Sequence, residues 1–255
     1  MCRAVWHFQG RLIHTACLAE ATDDGRVVVA TGGASGIGHA CVRRFAAAGD
    51  QVIVVDVNAI AGETVAAEIV EAGGNASFEP LDVTDRVAVV TLAARIDAAY
   101  GPAGVLINSA GILQKLERLA DFPDEINDQV WAVNYFGTYN CCKHFGLRMA
   151  DRGAGAIINI ASLSSYRTMP LLAYGPSKTA IVSLTGTLAV ELGVKGVRVN
   201  AVAPGMVLTP AQEKNFQQGL RGRRSDPAHR LRLAGLGMLA HYGRYSASGL
   251  TRLKP

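Results

Sequence analysis

The sequence predicts an α/β fold in three layers, in which a doubly wound parallel sheet carries helices on both faces. From Gly25 onward, short apolar runs alternate with longer amphipathic stretches, the order expected of repeated strand–helix units. Three of the apolar runs contain no polar residue at all, as is typical of strands that are buried on both faces. The chain has 255 residues, of which 49% are hydrophobic, which is enough for the core of one large domain.

Six runs are predicted as strands because they are short, mostly rich in Val, Ile or Leu, and bounded by turn residues. In chain order they are Val27–Ala30, Val52–Val55, Ser77–Leu81, Val105–Ile107, Ile157–Ile160 and Val197–Ala201. Five longer stretches between them are predicted as helices. These are Ile37–Ala48, Ala59–Ala72, Asp85–Tyr100, Asp124–Ala150 and Tyr174–Leu192.

The composition indicates a cytoplasmic protein without a membrane partner. No apolar run approaches the ~20 residues of a membrane-spanning helix. Arg11 and His14 interrupt the apolar stretch that a signal peptide would need near the start. An odd number of cysteines without a C-x-x-C pair favours reduced thiols over disulfides or a zinc site, and we expect no metal. The cysteines are Cys2, Cys17, Cys41, Cys141 and Cys142.

The positive charge is concentrated at the end of the chain. Residues 1–220 contain 17 Lys and Arg against 20 Asp and Glu, whereas residues 221–255 contain eight basic residues and one acid, Asp226. Such a segment can bind nucleic acid or a membrane surface. No aromatic or glycine pattern of a nucleic-acid-binding module accompanies it, so we expect no nucleic-acid partner.

A glycine-rich turn separates the first predicted strand from the first helix. Glycines allow a tight turn and a close approach of the backbone to a pyrophosphate, and the helix N-terminus adds N–H groups and the positive end of its dipole. The spacing is G-x-x-x-G-x-G, and a purely structural loop is the alternative. The candidate cofactor-binding residues in this turn are Gly32, Ser35, Gly36, Ile37 and Gly38.

Asp56 ends the second predicted strand, where a carboxylate can accept hydrogen bonds from the ribose hydroxyls of an adenosine. The same carboxylate would repel a 2′-phosphate, and the next residue, Val57, is not a cation that could attract one. The position therefore favours NAD over NADP. An ordinary Asp that caps the following helix is the alternative.

Tyr174 and Lys178 are four residues apart, which places a phenol and an ammonium on one helix face. A nearby cation favours the phenolate and lowers the pKa of a phenol from ~10 towards neutrality. The pair can therefore act in general acid–base catalysis. Pro176 between them is tolerated if it lies in the first helical turn, where its missing N–H costs little.

Together these motifs resemble the classical short-chain dehydrogenases/reductases over about residues 24–216. The matching motifs, in order, are the glycine turn, Asp82-Val83, Asn108-Ser109-Ala110-Gly111, Asn134, Ser162, Tyr174-x-x-x-Lys178 and Pro204-Gly205-Met206-Val207-Leu208-Thr209. Ser109 stands where the family usually has a second Asn. The resemblance implies a Rossmann-like fold and an NAD(P)-dependent oxidoreductase that interconverts a secondary alcohol and a ketone, with NAD preferred.

The resemblance also implies roles for residues that bind the cofactor. Asp82 would bond the adenine amino group, and Val83 would line the adenine ring. Asn108, Ala110 and Gly111 would lie beneath the adenosine ribose. The segment that would hold the nicotinamide carboxamide includes Pro204, Gly205, Val207 and Thr209.

Four catalytic residues are implied in the same way. Ser162 would bond the substrate oxygen, and Tyr174 would transfer the proton. Lys178 would bind the nicotinamide ribose, and Asn134 would hold a water that links Lys178 to solvent. The substrate would be a small-molecule alcohol or ketone, and the family implies a homotetramer or homodimer.

The end of the chain departs from the family, which puts assembly and substrate binding in question. The family ends in a strand that reads like I-T-G-x-x-L-x-V-D-G-G, and no such strand follows Thr209 here. We expect three regions: an N-terminal extension without order at 1–23, a catalytic domain at 24–216 and an atypical basic tail at 217–255. Without the usual last strand, the sixth strand would have an open edge.

Two hypotheses follow from this tail. One is that it is a frameshifted form of a normal C-terminus, because permitted codons for residues 241–249 can encode I-T-G-A-T-L-R-V-D in a shifted frame; sequencing the coding DNA tests this. The other is that the protein is a catalytically impaired or non-catalytic relative that keeps the fold.

Overall fold

The computed structural model describes residues 25–205 and 207, together with the backbone of three short segments at 7–8, 11–12 and 238–240. The strands are β1 His7–Phe8, β2 Arg11–Leu12, β3 Val27–Thr31, β4 Gln51–Asp56, β5 Asn75–Pro80, β6 Ala103–Asn108, β7 Gly155–Ile160, β8 Val197–Ala203 and β9 Met238–Ala240. The helices are α1 Gly36–Ala46, α2 Ala59–Glu71, α3 Arg86–Tyr100, α4 Asp124–Trp131, α5 Thr138–Arg152 and α6 Tyr174–Gly193.

Six of these strands form a parallel sheet in the order β5-β4-β3-β6-β7-β8, with helices on both faces. This confirms the predicted doubly wound, Rossmann-like α/β fold. The chain first builds outward from β3 to β5 and then crosses back to β6 on the other side of β3. That reversal opens a crevice at the carboxyl ends of β3 and β6, which is where open α/β sheets bind ligands.

The apolar strand residues alternate between two cores. Along β3, Val27 and Val29 pack towards α3 and α5, whereas Val28 and Ala30 pack towards α1 and α2. A strand that is buried on both sides must be apolar at every position, because successive side chains point to opposite faces. This is why the parallel strands stand out in the sequence as nearly continuous apolar runs.

The helix that is predicted over Asp124–Ala150 contains an interruption. Between α4 and α5, the segment Ala132–Gly137 is π-helical, with a wider turn than the α-helices on either side. Such wide turns often occur at functional sites, and this one contains Asn134. Hydrophobic periodicity alone does not predict the segment, because its residues lie within one continuous helical pattern.

The edge of the sheet differs from the expectation that β8 would be open. A short strand, β9, pairs antiparallel with Ala201–Ala203 at the end of β8. The prediction of an open edge is therefore wrong for these three residues, which an antiparallel strand covers. The rest of the predicted basic tail lies outside the described residues.

The two-residue strands β1 and β2 pair antiparallel within the N-terminal extension. The sequence does not predict this pairing. The remainder of residues 1–23 lies outside the described part of the chain.

Cys141 and Cys142 are buried and form no disulfide, and burial raises the pKa of the Cys142 thiol to about 12. No helix among the described residues is long and apolar enough to cross a membrane.

Candidate functional site

A cavity of about 520 Å³ lies at the carboxyl ends of β3, β4, β6 and β7. Its size is in the range of small-molecule and cofactor sites. The predicted site residues that line it are Gly32, Ser35, Gly36, Ile37, Asp56, Asp82, Val83, Ala110, Gly111, Ser162, Tyr174, Lys178, Pro204, Gly205 and Val207. Residues from six of the seven matching motifs, together with Asp56, thus meet at one place.

The glycine turn lines the cavity and is packed too closely for side chains at two of its glycines. Gly32 has φ +65°, and a Cβ at this position would lie 2.7 Å from the backbone N of Ala110. A Cβ on Gly38 would lie 2.1 Å from the carbonyl oxygen of Gly32. Gly38 therefore packs the turn against α1 and does not line the cavity itself. The turn leaves the N-terminus of α1 facing the cavity through Ser35, Gly36 and Ile37.

Asp56 is held firmly at the end of β4. One carboxylate oxygen accepts a hydrogen bond from the backbone N–H of Ala34 at 3.1 Å, and the other accepts from the N–H of Asn58 at 3.0 Å. The helix-cap role belongs to Asn58, whose side chain accepts from the N–H of Ala61. Asp56 instead joins the second strand to the glycine turn and presents its charge at the cavity wall.

Asp82 and Val83 line the same side of the cavity. Oδ1 of Asp82 accepts from both the N–H and the hydroxyl of Thr84, which fixes the carboxylate at the cavity rim. Val83 is buried, and its carbonyl accepts a hydrogen bond from the Asn140 side chain. The rim thus combines a held carboxylate with an apolar surface.

Asn108 has its side chain in the core and does not line the cavity. Its Nδ2 donates to Oδ1 of Asn159 at 2.8 Å, and Nδ2 of Asn159 donates to the hydroxyl of Thr185 at 2.9 Å. The three residues form a buried polar network that joins β6, β7 and α6. The cavity at this point is lined by the residues that follow Asn108, namely Ser109, Ala110 and Gly111.

Lys178 and Tyr174 lie together on the first two turns of α6. The Lys178 ammonium is 5.8 Å from the centre of the Tyr174 ring, and it donates a hydrogen bond to the carbonyl of Ile160 at 2.8 Å. Burial lowers the pKa of Lys178 to about 8. Pro176 lies within the first helical turn, as the sequence predicts.

Asn134 packs beneath the cavity, and its side chain holds the backbone of Ile112. Its Oδ1 accepts from the N–H of Ile112 at 2.8 Å, and its Nδ2 donates to the Ile112 carbonyl and to the hydroxyl of Ser177. Gly111 is close to both Asn134 and Lys178, because a Cβ there would lie 3.1 Å from Asn134 Oδ1 and 3.4 Å from Lys178 Nζ.

Ser162 lies at the end of β7, on the cavity wall. Its hydroxyl oxygen accepts a hydrogen bond from the N–H of Ser164 at 3.2 Å. The extended backbone of Ser162 precedes the short 3-10 turn Leu163–Ser165. The hydroxyl proton is therefore left to donate towards the cavity, because the bond to Ser164 uses only the oxygen.

Three predicted site residues do not line the cavity: Gly38, Asn108 and Asn134. Thr209 lies outside the described residues. The sequence gives no functional assignment to the other apolar wall residues, which are Val55, Leu81, Ile112, Leu113, Val133, Ile160 and Ala161. Most of them are next to a predicted site residue in the sequence, near the end of a strand. This neighbourhood is the feature of the sequence that could have identified them.

Comparison with known proteins gives consistent matches over this region. A sequence profile of the family described as short chain dehydrogenase matches residues 26–219. The chain is 38% identical over 205 residues to D-threitol dehydrogenase of Mycolicibacterium smegmatis, an alignment that spans 78% of this chain and 76% of that protein.

Two solved structures have a similar fold. One, named as a ribose-5-phosphate isomerase from Brucella melitensis 16M, is 43% identical with a TM-score of 0.73 and covers 78% of this chain and 75% of its own. The other, an NAD⁺-bound xylitol dehydrogenase, is 30% identical with a TM-score of 0.75 and covers 83% of this chain and 84% of its own. Other solved structures of this fold hold NADP.

Proposed function

This chain belongs to the short-chain dehydrogenase family, and on that premise we propose that it interconverts a secondary alcohol and a ketone with NAD. The observation that carries the proposal is that Ser162, Tyr174 and buried Lys178 line the same cavity as the glycine turn. A hydroxyl, a phenol and an ammonium therefore share one cavity with the turn that we assign to the dinucleotide.

The described residues fit the implied cofactor. The glycine turn packs so closely on the backbone of Ser109 and Ala110 that Gly32 has no room for a side chain, and the N-terminus of α1 offers N–H groups for a pyrophosphate. Asp56 and Asp82 provide carboxylate acceptors for the ribose and adenine groups. When bound, the nicotinamide accepts or supplies the hydride of the reaction.

The residues of the chain provide the proton and the orientation of the substrate. In oxidation, Tyr174 accepts the hydroxyl proton of the alcohol while Ser162 donates a hydrogen bond to the same oxygen. In reduction, Tyr174 returns that proton to the oxygen of the ketone. Both groups act on the atom where charge develops, which is the arrangement that stabilises a transition state.

Lys178 and Asn134 support this proton transfer. The ammonium of Lys178 stabilises the phenolate of Tyr174, and its donors beyond the Ile160 bond serve a ribose hydroxyl. Asn134 fixes the backbone at Ile112 and, in our proposal, the water through which protons pass between Lys178 and solvent.

The first test is turnover by the purified full-length chain. NADH formation is followed at 340 nm with a panel of secondary alcohols and polyols, and NADH consumption with the matching ketones. Tyr174→Phe should lower kcat by about 10²–10⁴ with unchanged NAD affinity, since only the proton donor is removed. Tyr100→Phe, at the end of α3 and away from the cavity, is the matched control and should keep full activity.

The same measurement separates the enzyme from a non-catalytic relative. A folded sample that binds NAD but turns over none of the alcohols or ketones would contradict the proposal and support a binding protein. Equal activity of wild type and Tyr174→Phe would contradict the role of Tyr174 alone.

The preference for NAD rests on Asp56 and Val57. Both carboxylate oxygens of Asp56 are held by backbone N–H groups, and Val57 is 70% exposed, so the strand end offers a fixed negative charge and no cation. We expect kcat/KM to be at least about tenfold higher with NAD than with NADP. The double variant Asp56→Ser, Val57→Arg should reverse this ratio, and Asp50→Ser, which alters an acid outside the cavity, should not.

We also propose a homo-oligomer in the cytoplasm. The outer face of the π-helical segment and α5 exposes Phe136, Tyr139 and Leu147, and a row of apolar residues on a helix is a surface that another copy can cover. Sedimentation velocity measures the assembly directly, and a monomer at micromolar concentration would contradict the proposal.

A further inference from the structure

Gln114 is a buried polar residue that the function described above does not use. It lies in the loop between β6 and α4, directly after Leu113 of the cavity wall, and only 6% of its surface is exposed. A glutamine is seldom buried to this extent unless its amide has hydrogen-bond partners.

The partners of Gln114 are at the start of the catalytic helix. Its Oε1 accepts from the backbone N–H of Ala173 at 2.7 Å and from the N–H of Tyr174 at 2.8 Å. Because both partners are N–H donors, the atom that meets them must be the amide oxygen. The orientation of the amide is therefore fixed by chemistry.

Helix α6 lacks the usual cap of its own. The N-terminal N–H groups of a helix have no partner within the helix and need an acceptor from elsewhere. The residue at the cap position is Ala173, which has no side chain that could accept them. Gln114 supplies the acceptor from a distance of 59 and 60 residues along the chain.

The other end of the amide has no such role. Nε2 of Gln114 is buried and has no hydrogen-bond partner among the described residues. A buried donor without a partner is unfavourable. The contribution of this side chain therefore comes from its oxygen and the two N–H groups that the oxygen holds.

We propose that Gln114 is a positioning residue that holds the backbone of Tyr174 and thereby places its phenol in the cavity. The proposal rests on the acid–base role of Tyr174 proposed above. Because Gly111, Ile112 and Leu113 immediately precede Gln114 and line the cavity, one side chain ties the cavity wall to the first turn of the catalytic helix.

Two variants separate the acceptor from the rest of the side chain. Gln114→Met keeps the length of the side chain and removes the acceptor. Gln114→Glu keeps an acceptor of the same shape, whose ionised form is favoured by the two N–H groups and the positive end of the helix dipole. Gln129→Met and Gln129→Glu, at an exposed glutamine on α4, are the matched controls.

Kinetics give the first readout. Gln114→Met should lower kcat by about 10- to 100-fold at every pH, with a smaller change in KM, because a misplaced phenol slows the chemical step. Gln114→Glu should retain kcat at high pH, with its pH–rate profile moved by roughly one unit to higher pH, because the added negative charge opposes ionisation of the phenol. Both Gln129 variants should match the wild type.

Amide hydrogen exchange gives a second readout that needs no turnover. Exchange at Ala173 and Tyr174 should be at least about tenfold faster in Gln114→Met than in the wild type, and unchanged in Gln114→Glu. This holds even if the chain turns over no substrate, so failure of the proposed function and failure of this inference are distinguishable.

Several results would overturn the inference. Wild-type exchange rates at Tyr174 in Gln114→Met would do so, as would an equal loss of kcat in both variants without a shift of the pH profile. If Gln114→Met does not fold, the pH–rate profile of Gln114→Glu decides alone, and an unshifted profile rejects the inference.

Discussion

At the scale of single residues, Gly111 packs next to two polar side chains of the site. A Cβ at Gly111 would lie 3.1 Å from Asn134 Oδ1 and 3.4 Å from Lys178 Nζ, so a methyl group has little room there. The proton path of the proposed mechanism runs through these two side chains. A small displacement at this point therefore affects chemistry more than folding.

We predict that Gly111→Ala lowers kcat by about 10- to 100-fold while the protein stays folded, because the methyl group would lie 3.1 Å from Asn134 Oδ1 and displace this side chain by a few tenths of an ångström. Steady-state kinetics and far-UV circular dichroism measure both parts. Gly104→Ala, on the preceding strand β6, is the control, since its nearest neighbour would be at an ordinary 3.5 Å. Equal activity of the two variants would show that catalysis does not require a residue without a side chain at position 111.

The buried Lys178 makes the stability of the cofactor-free protein depend on pH. Burial lowers its pKa in the folded protein from 10.5 to about 8, so the unfolded chain holds this proton more tightly. Below pH 8 the lysine is protonated in both states, and the buried ammonium destabilises the folded protein by its full amount. Between pH 8 and 10.5 the folded protein loses this proton first, so the free energy of unfolding rises by up to about 1.4 kcal/mol per pH unit.

We predict that Lys178→Met removes this rise. Urea denaturation from pH 7 to 10.5 should show a flatter curve for Lys178→Met than for the wild type. Lys143→Met, at an exposed lysine of α5, should keep the wild-type slope. Parallel curves for the wild type and Lys178→Met would mean that the ammonium is better solvated than its burial indicates.

At the scale of elements, β6, β7 and α6 are joined by the buried network of Asn108, Asn159 and Thr185. Thr185 is fully buried, and its hydroxyl accepts from Asn159 and donates to the Ile181 carbonyl at 2.7 Å. The network fixes the sheet against the helix that carries Tyr174 and Lys178. It therefore contributes to the position of the site although none of its members lines the cavity.

We predict that Thr185→Val lowers the free energy of unfolding by about 1–3 kcal/mol, because it leaves the Nδ2 of Asn159 buried without an acceptor. Urea denaturation measures this value. Thr187→Val, an exposed position on the same helix whose hydroxyl bonds the Ser183 carbonyl, should change it by less than about 0.5 kcal/mol. A similar loss in both variants would argue for a helix-propensity effect.

The elements were largely predictable from the sequence because both cores require apolar residues at every position of the central strands. All six predicted strands are present, and so are the flanking helices, with ends that differ by a few residues and with the helix predicted over Asp124–Ala150 divided by the π-helical segment. The side chain of Asn108 was not predictable, since its motif indicates the backbone path and not the direction of the amide. Gln114 was missed because its partners are brought to it only by the tertiary fold.

At the scale of the whole molecule, the sheet ends at an edge that is covered for only part of its length. β9 pairs with Ala201–Ala203, whereas the earlier residues of β8 pair on that side with no other described strand. An uncovered strand edge can pair with another chain. We therefore expect the few residues of β9 to limit such pairing between chains.

We predict that deletion of residues 238–255 increases self-association, because it exposes the backbone groups of Ala201–Ala203. Light scattering over a concentration series should detect larger species than in the wild type. Deletion of residues 241–255, which keeps β9, is the control and should behave like the full chain. Identical scattering of both deletions would show that β9 does not protect the edge.

The π-helical segment Ala132–Gly137 makes this part of the chain sensitive to its number of residues. Losing one residue there would convert the wide turn to an α-helical one, and α4 and α5 would keep nearly the same faces towards the core, because a π turn holds about one residue more than an α turn. The residues inside the segment would change direction instead, and Asn134 would lose its alignment with Ile112 and Ser177. Substitutions in this segment leave the count unchanged, whereas a one-codon deletion would displace Asn134 while the two helices stay packed.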